Sequence, residues 1–347
     1  MSIFHVLLSV WLFVLLSACM RHEESVPKVI NLSTWSNYVD IELLKEFEAK
    51  TGIKVNLSIY SSNEELLAKI QAGASGIDVA IPSDYTVTVM QKLQMLNEID
   101  VAKIPNKELI NQEFLKQSFD PDNKYSLPYA WSTAGIAVNR ELYKGVIKGW
   151  KDLFLNPQLN GKLSLLDDVR EVTAAALKMH GFSVNSTTPA ELKQAELSLV
   201  AVKPRVKMFR SDTVEALLKK EVAVAHSYSS DALQAVRSSG GMIEYILPEE
   251  GGTRALDNLV ILKGCKNIDG AHQLINFLLS LKANVSFVKT VMGGPVLKTT
   301  RQELPRDIQA NQSLFPSTEQ LSRFESITDL GEATNLYDKL WTHIKVE

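Results

Sequence analysis

From Lys28 to Ile81 the sequence switches between two hydrophobic periods, and this alternation limits the fold more than any other feature. Lys28 to Trp35 reads as a strand leading into a helix from about Asp40 to Lys50, whose Ile41, Leu44 and Phe47 form one apolar stripe. Gly52 follows that helix, where a left-handed C-cap is wanted. Ile53, Val55, Leu57 and Ile59 then alternate with polar residues, the period of a strand. Ser62 and Glu65 have the spacing of a capping box ahead of Leu66, Leu67 and Ile70, and Asp78 to Ile81 is a short buried strand. Strand, helix, strand, helix, strand in that order implies a parallel sheet covered by helices.

A second set of such units begins after Trp150. Lys162 to Leu166 reads as a strand, Val169 to His180 as a helix closed by Gly181, and Thr188-Pro189-Ala190-Glu191 as a capping box with proline at the first helical position. Helix Val214 to Lys220, strand Val222 to His226, helix Asp231 to Ser238 and strand Ile243 to Leu247 continue the pattern. Two α/β lobes follow, and the length of 347 residues agrees, at roughly 150 per domain.

In sheets of this kind ligands sit beyond the carboxyl ends of the strands, where loops meet helix N-termini. The nominated loops are Thr34 to Asp40, Pro82 to Thr86, Leu166 to Glu171, Ser227 to Asp231 and Glu249 to Asp257. They hold the aromatics Trp35, Tyr38, Tyr85 and Tyr228 and the acids Asp40, Asp84, Asp167, Asp168, Glu171, Asp231 and Asp257. Helix N-termini already favour anions, so an anionic ligand needs no carboxylates there, and a row of acids points to a cation. Asp168 and Glu171, three apart, share a helix face and can meet one ammonium, while Arg170 is placed to turn away. An ammonium offers three donors and no acceptor, and aromatic faces add cation–π attraction of roughly 0.5–2 kcal/mol each. The competing reading is that such acids cap their helices and offset the dipole, and for Asp40, Asp84 or Asp167 taken singly it is the simpler one.

The 37 basic and 40 acidic side chains give a net charge of -3, which argues against a protein that grips nucleic acid through phosphate neutralisation. Ile3 to Leu16 is apolar apart from His5 and Ser9, shorter than the ~20 residues of a membrane span but of the length of a signal-peptide core. It ends in Leu16-Ser17-Ala18-Cys19, which resembles the lipobox of bacterial lipoproteins, although Met1 to His5 carries no Lys or Arg. Residues 1–18 then read as a signal peptide and 19–27 as a tether ending in Pro27, with Cys19 lipidated and the protein held to a membrane in the periplasm or at the cell surface. Cys265, the other cysteine, has no partner and reads as a packing thiol.

The residues also match a family. The chain resembles the spermidine/putrescine-binding proteins, receptors of polyamine ABC importers, along essentially the whole length after Cys19. The matching segments are Thr34-Trp35-Ser36-Asn37-Tyr38-Val39, Glu46-Phe47 through Val55, Pro82-Ser83-Asp84-Tyr85, Tyr125-Ser126-Leu127-Pro128-Tyr129, Asp167-Asp168-Val169-Arg170-Glu171-Val172, Pro248-Glu249-Glu250-Gly251-Gly252 and Ile275-Asn276-Phe277-Leu278-Leu279. The first and the Asp-Asp-Val-Arg-Glu segment are the more specific. The resemblance implies an α/β fold of the type II periplasmic binding-protein kind: two lobes, each a mixed sheet flanked by helices, with the ligand in the cleft between them. Residues 28–135 plus 257–302 would form lobe one and 136–256 plus 303–347 lobe two, with crossings near Ala134 to Ile136 and Leu256 to Asp257.

Carried over position by position, the resemblance implies Trp35, Tyr85 and Tyr228 as walls around an aliphatic chain. Asp168, Glu171 and Asp257 would hold amino groups, with Ser36 and Ser83 as supporting contacts and Asp231 as an acid of putrescine-type relatives. Three positions depart from the pattern: Ala255 stands in place of an aromatic, Gly294 of a tyrosine and Ile327 of a glutamine. Either Tyr60, Tyr129, Trp131 or Arg254 fills the space, or the ligand is not a standard polyamine. The function implied is capture of putrescine or spermidine and delivery to transporter permease subunits, by a monomer needing no cofactor and no metal.

The alternatives are the same fold serving another cationic or zwitterionic small molecule, a lipoprotein that has kept the fold without transport, and an enzyme. For the last, the chain has no Gly-x-Ser-x-Gly elbow, His-Glu-x-x-His, phosphate-binding glycine loop or Cys-x-x-Cys. His180, His226, His272 and His343 lack ligand spacing, which leaves paired carboxylates such as Asp168 and Glu171 as the one route to a hydrolase.

Overall fold

The computed structural model describes residues 28–73 and 76–346, so Cys19 and the segment before it lie outside the described residues. Eleven strands occur: β1 Val29–Trp35, β2 Lys54–Tyr60, β3 Val79–Ala80, β4 Ser126–Asn139, β5 Leu163–Leu165, β6 Val206–Phe209, β7 Val224–Tyr228, β8 Ile243–Ile246, β9 Thr253–Ile261, β10 Gly294–Pro295 and β11 Glu325–Ser326. They form one curved path in the order β2-β1-β3-β9-β4-β7-β5-β6, with β8 and β10 also on β4 and β11 on β9.

β1 pairs in parallel with β2 and β3, as the strand–helix–strand order requires, and β5 pairs in parallel with β6 and β7. Between these two parallel groups run β9 and β4, antiparallel to their neighbours. β4 is the spine. Over its first half, Ser126 to Thr133, it pairs with β9, and from Ala134 to Val138 it pairs with β7, with β8 alongside from Ile136. Pro128 within it is tolerated because the register shifts there, between Pro128 and Ala130.

Local signals explain most helix ends. Asp40 Oδ1 accepts from the Glu42 amide at 2.9 Å at the head of helix Ile41–Thr51, and Gly52 closes it at φ 70°. Ser62 Oγ accepts from the Glu65 amide at 3.2 Å, but the Glu65 carboxylate reaches back to Ser61, one residue short of a full capping box. The box expected at Thr188 does not form. Thr188 makes no side-chain cap at helix Pro189–Val202, and Glu191 accepts the Ser186 hydroxyl instead.

The core divides accordingly. Leu32, Val79, Ile81 and Leu259 pack with helices Ile268–Leu278 and Leu281–Val291, whereas Trp150, Leu163, Leu177 and Leu199 form a second cluster. The first cluster also takes in Ala225, Ala232 and Tyr245 from the second parallel group; of the C-terminal chain, Leu304, Ile308 and Leu314 pack in it, and Leu330, Tyr337, Leu340, Trp341 and Ile344 pack in the second. Cys265 is buried, and burial pushes its thiol up to about 12.

The start of β4 is pinned by Asp120, a buried carboxylate that accepts from the amides of Lys124, Tyr125 and Ser126 and from the Ser126 hydroxyl, at 2.8–3.0 Å. Removing it orphans several buried donors, each worth about 1–3 kcal/mol. Asp120→Ala is therefore expected to lower stability by about 3 kcal/mol, measured by urea unfolding. A loss within ~0.5 kcal/mol would show that Asp120 does not organise the spine.

Candidate functional site

A cavity of about 210 Å³ opens where the ends of β1, β3, β5 and β7 meet the helix starts that follow them. Trp35, Ser36, Tyr38, Ser83, Asp84, Tyr85, Asp168, Glu171, Tyr228, Asp231 and Asp257 line it, whereas Asp40 and Asp167 from the same nominated segments do not, and the segment read as a loop from Glu249 to Asp257 is strand from Thr253 onward. Strand pairing explains their convergence. Asp257 lies in β9 opposite Ala130, Ala255 opposite Ser132, and Tyr228 at the end of β7 opposite Ala134.

The acids are held by neighbouring hydroxyls and amides. Tyr38 donates to Asp257 Oδ2 at 2.5 Å and Ser83 to its Oδ1 at 2.7 Å. Tyr228 donates to Asp168 Oδ2 at 2.9 Å, while Asp168 Oδ1 caps helix Val169–Met179 by accepting from the amides of Arg170 and Glu171 at 3.0 and 3.1 Å. The capping and site readings thus hold together at Asp168. Glu171 accepts the Thr253 hydroxyl at 2.5 Å, and Asp231 accepts the Thr213 amide at 3.1 Å. Asp84 lines the cavity with Oδ1 on the Tyr85 amide, whereas Asp40 serves as a cap and Asp167 pairs with Lys345 at 2.6 Å.

Burial raises four of the cavity carboxyls: Asp257 to about 6, Asp84 and Asp231 to about 7 and Glu171 to about 8, the last also through its neighbour Asp168. Asp168 is raised by the same desolvation. Among the described residues no lysine lines the cavity and Arg254 is its one basic side chain. Arg170, expected to turn away, is buried behind the wall, its guanidinium 5.5 Å from the Tyr85 ring and 4.8 Å from that of Tyr337. Among the described residues no group of three His, Cys, Asp or Glu side chains is placed to hold a metal ion.

The aromatic wall is continuous. Trp35 lies 4.7 Å from the Tyr60 ring and 5.9 Å, edge on, from Tyr228, and its indole N–H bonds the Ile81 carbonyl at 3.0 Å. Of the four side chains considered as substitutes for the missing aromatics, Tyr60 and Arg254 line the cavity, whereas Tyr129 is buried against Phe287 and Trp131 faces an adjoining cavity. Gly294 is explained by Trp131, because a Cβ at 294 would fall 2.3 Å from its ring. Ile327 lines the cavity as an apolar, buried side chain.

Sequence reasoning missed Glu64 and Asp212. Glu64 accepts the Tyr85 hydroxyl at 3.0 Å and is pushed up to about 7 by burial, then by Asp168, yet it sits inside a helix start that reads as a cap. Asp212 lines the cavity and accepts from Ser36 at 3.5 Å. It follows β6, a four-residue strand too short and too exposed to stand out in the pattern, so the loop beyond it escapes nomination.

The comparisons agree with this geometry. Residues 42–316 match the family model of the bacterial extracellular solute-binding proteins. The spermidine/putrescine-binding periplasmic protein of Salmonella typhimurium is 35% identical over 314 residues, covering 90% of each chain. A solved Listeria monocytogenes structure described as a spermidine/putrescine ABC transporter superposes with a TM-score of 0.87 at 33% identity, over 92% of this chain and 99% of that one. The Tp0655 lipoprotein of Treponema pallidum superposes with a TM-score of 0.80 at 30% identity, over 91% and 99%. Both neighbours share the two-lobe architecture built here around β4 and β9. The chain belongs to the bacterial extracellular solute-binding proteins, in the branch that holds the spermidine/putrescine-binding proteins.

Proposed function

We propose that this protein captures a linear di- or polyamine, of the putrescine or spermidine class, between its two lobes and delivers it to the permease of an ABC importer. One observation carries the reading: Asp168, Glu171, Asp231 and Asp257 are buried in one cavity with no ammonium partner among the described residues. An uncompensated buried carboxylate costs several kcal/mol, so a site that gathers four of them is completed by a cation from outside. Trp35, Tyr85 and Tyr228 supply faces for its methylene chain. The names of the relatives support the same class of ligand, and binding without turnover fits a site whose carboxylates are fixed by hydroxyl donors. Residues 28–135 plus 257–302 would make one lobe and 136–256 plus 303–347 the other. We read the chain as an exported lipoprotein anchored through Cys19, outside the cytoplasmic membrane and monomeric.

Calorimetry with putrescine, spermidine, spermine and cadaverine tests the ligand class, and failure of every amine to bind would sink it. Asp257→Asn is expected to weaken the preferred amine at least about tenfold, since removing one member of a buried charged contact costs about 2–5 kcal/mol. Unchanged affinity would remove Asp257 from the site.

The raised carboxyls also set a pH dependence. Their folded values lie above the unfolded ones near 4, so in the empty protein they stabilise below about pH 4 and that contribution is lost as pH rises through about 6 for Asp257 and about 8 for Glu171. A bound ammonium favours the ionised forms. Amine affinity should therefore rise between pH 5 and 8, with proton release visible as different binding heats in buffers of different ionisation enthalpy. A flat affinity across that range would show that these carboxyls do not ionise on binding. For the anchor, Cys19→Ser is expected to give a protein that leaves the detergent phase on phase separation, and retention there would refute lipidation at Cys19.

A further inference from the structure

The cavity does not end cleanly at Ala255. A second cavity of about 510 Å³ adjoins it, and Asp84, Arg254 and Ala255 line both. With only a methyl group at 255, that shared wall is thin. The charge on its two sides is opposite. Asp168, Glu171, Asp231 and Asp257 line only the first cavity and Lys298 and Arg301 only the second, while Asp84 and Arg254 stand on the wall between them.

Lys298 and Arg301 have no carboxylate partner among the described residues, and Arg254 faces one buried acid, Asp84, whose carboxyl it lowers without an ion-pair contact. Lys298 donates to the Glu108 carbonyl at 2.8 Å, and Arg301 to the Gln309 carbonyl at 2.7 and 3.2 Å while its guanidinium lies 4.2 Å from the Phe315 ring. Neither is ion-paired among the described residues, and Arg254 has neither ion pair nor hydrogen-bond partner there. Glu113 also lines the second cavity, but its carboxylate accepts from the Asn111 amide. An ammonium placed past Ala255 would face like charge, while a carboxylate there would find donors and an open guanidinium fork.

We infer that the cleft takes a carboxyalkyl amine, with ammonium groups among the buried acids of the first cavity and a carboxylate past Ala255 against Arg254 and Lys298. This rests on the first cavity being an ammonium site, and it deepens that reading by giving the ligand a second, anionic end.

The test is calorimetry of the intact chain with putrescine, N-propylputrescine and N-(2-carboxyethyl)putrescine, the last two nearly matched in length and opposed in the character of the arm. The carboxyethyl compound is expected to bind about fivefold more tightly than the propyl compound, the upper range for a partly exposed ion pair. Arg254→Gln should bring that ratio close to one, and Lys298→Gln should lower it by a smaller factor. Equal or weaker binding of the carboxylate, or a ratio that Arg254→Gln leaves intact, would overturn the inference while putrescine binding keeps the amine site standing. If putrescine and both derivatives all fail to bind, the amine site itself falls and the inference with it.

Discussion

Asp257 is held on two sides, by the Tyr38 hydroxyl at 2.5 Å and the Ser83 hydroxyl at 2.7 Å, and much of the site's organisation depends on that fixed charge. The three residues come from the loop after β1, the loop after β3 and the middle of β9. Their union places the ends of the parallel strands against the antiparallel spine, and the bridge from Ser83 to Asp257, with the Asn258 amide on the Pro82 carbonyl at 2.8 Å, closes the corner. Two hydroxyl donors leave the carboxylate oriented and still able to accept. They do not neutralise it, and burial keeps it above its ordinary range.

Around that corner the protein gathers more acids than its nearby guanidinium groups, Arg170 behind the wall and Arg254 at its edge, can offset. The other acids follow the same scheme, one or two neutral donors each and desolvation on every side. Such groups are arranged to be completed by something that arrives, which separates this site from a structural ion-pair network. The aromatic wall complements it, because Trp35 contacts both Tyr60 and Tyr228 and so links strands from the two parallel groups around one apolar channel.

Most of this was legible because strand–helix alternation fixes where strand ends lie, and strand ends are where such folds bind. Position placed Asp168, Glu171 and Asp231 on the list together with Asp40 and Asp167, which stand outside the cavity, and the resemblance singled out Asp168, Glu171 and Asp257, the last of them in the middle of β9 rather than at a strand end. What escaped has specific causes. Glu64 reads as part of a helix cap, and Asp212 follows a half-exposed strand with no apolar alternation. The Thr188 box failed because Glu191 had a nearer partner in Ser186, a competition that spacing does not reveal. Gly294 looked like a lost wall, yet Trp131 of the neighbouring strand already occupies the volume a side chain there would need. Ala255 is the departure with no such compensation from Trp131, which lies in the adjoining cavity.

The fourteen-residue β4 carries a consequence for how chains of this build can vary. Its first half sets the register of β9, and with it Ala255 and Asp257, while its second half sets that of β7, and with it Tyr228. Because neighbouring side chains point to opposite faces, one residue inserted between Ala130 and Ala134 would rotate one half of the site out of line with the other. The interval between Ala130 and Ala134 acts as a ruler, holding the acid on one strand and the aromatic on another at the separation a single ligand must span.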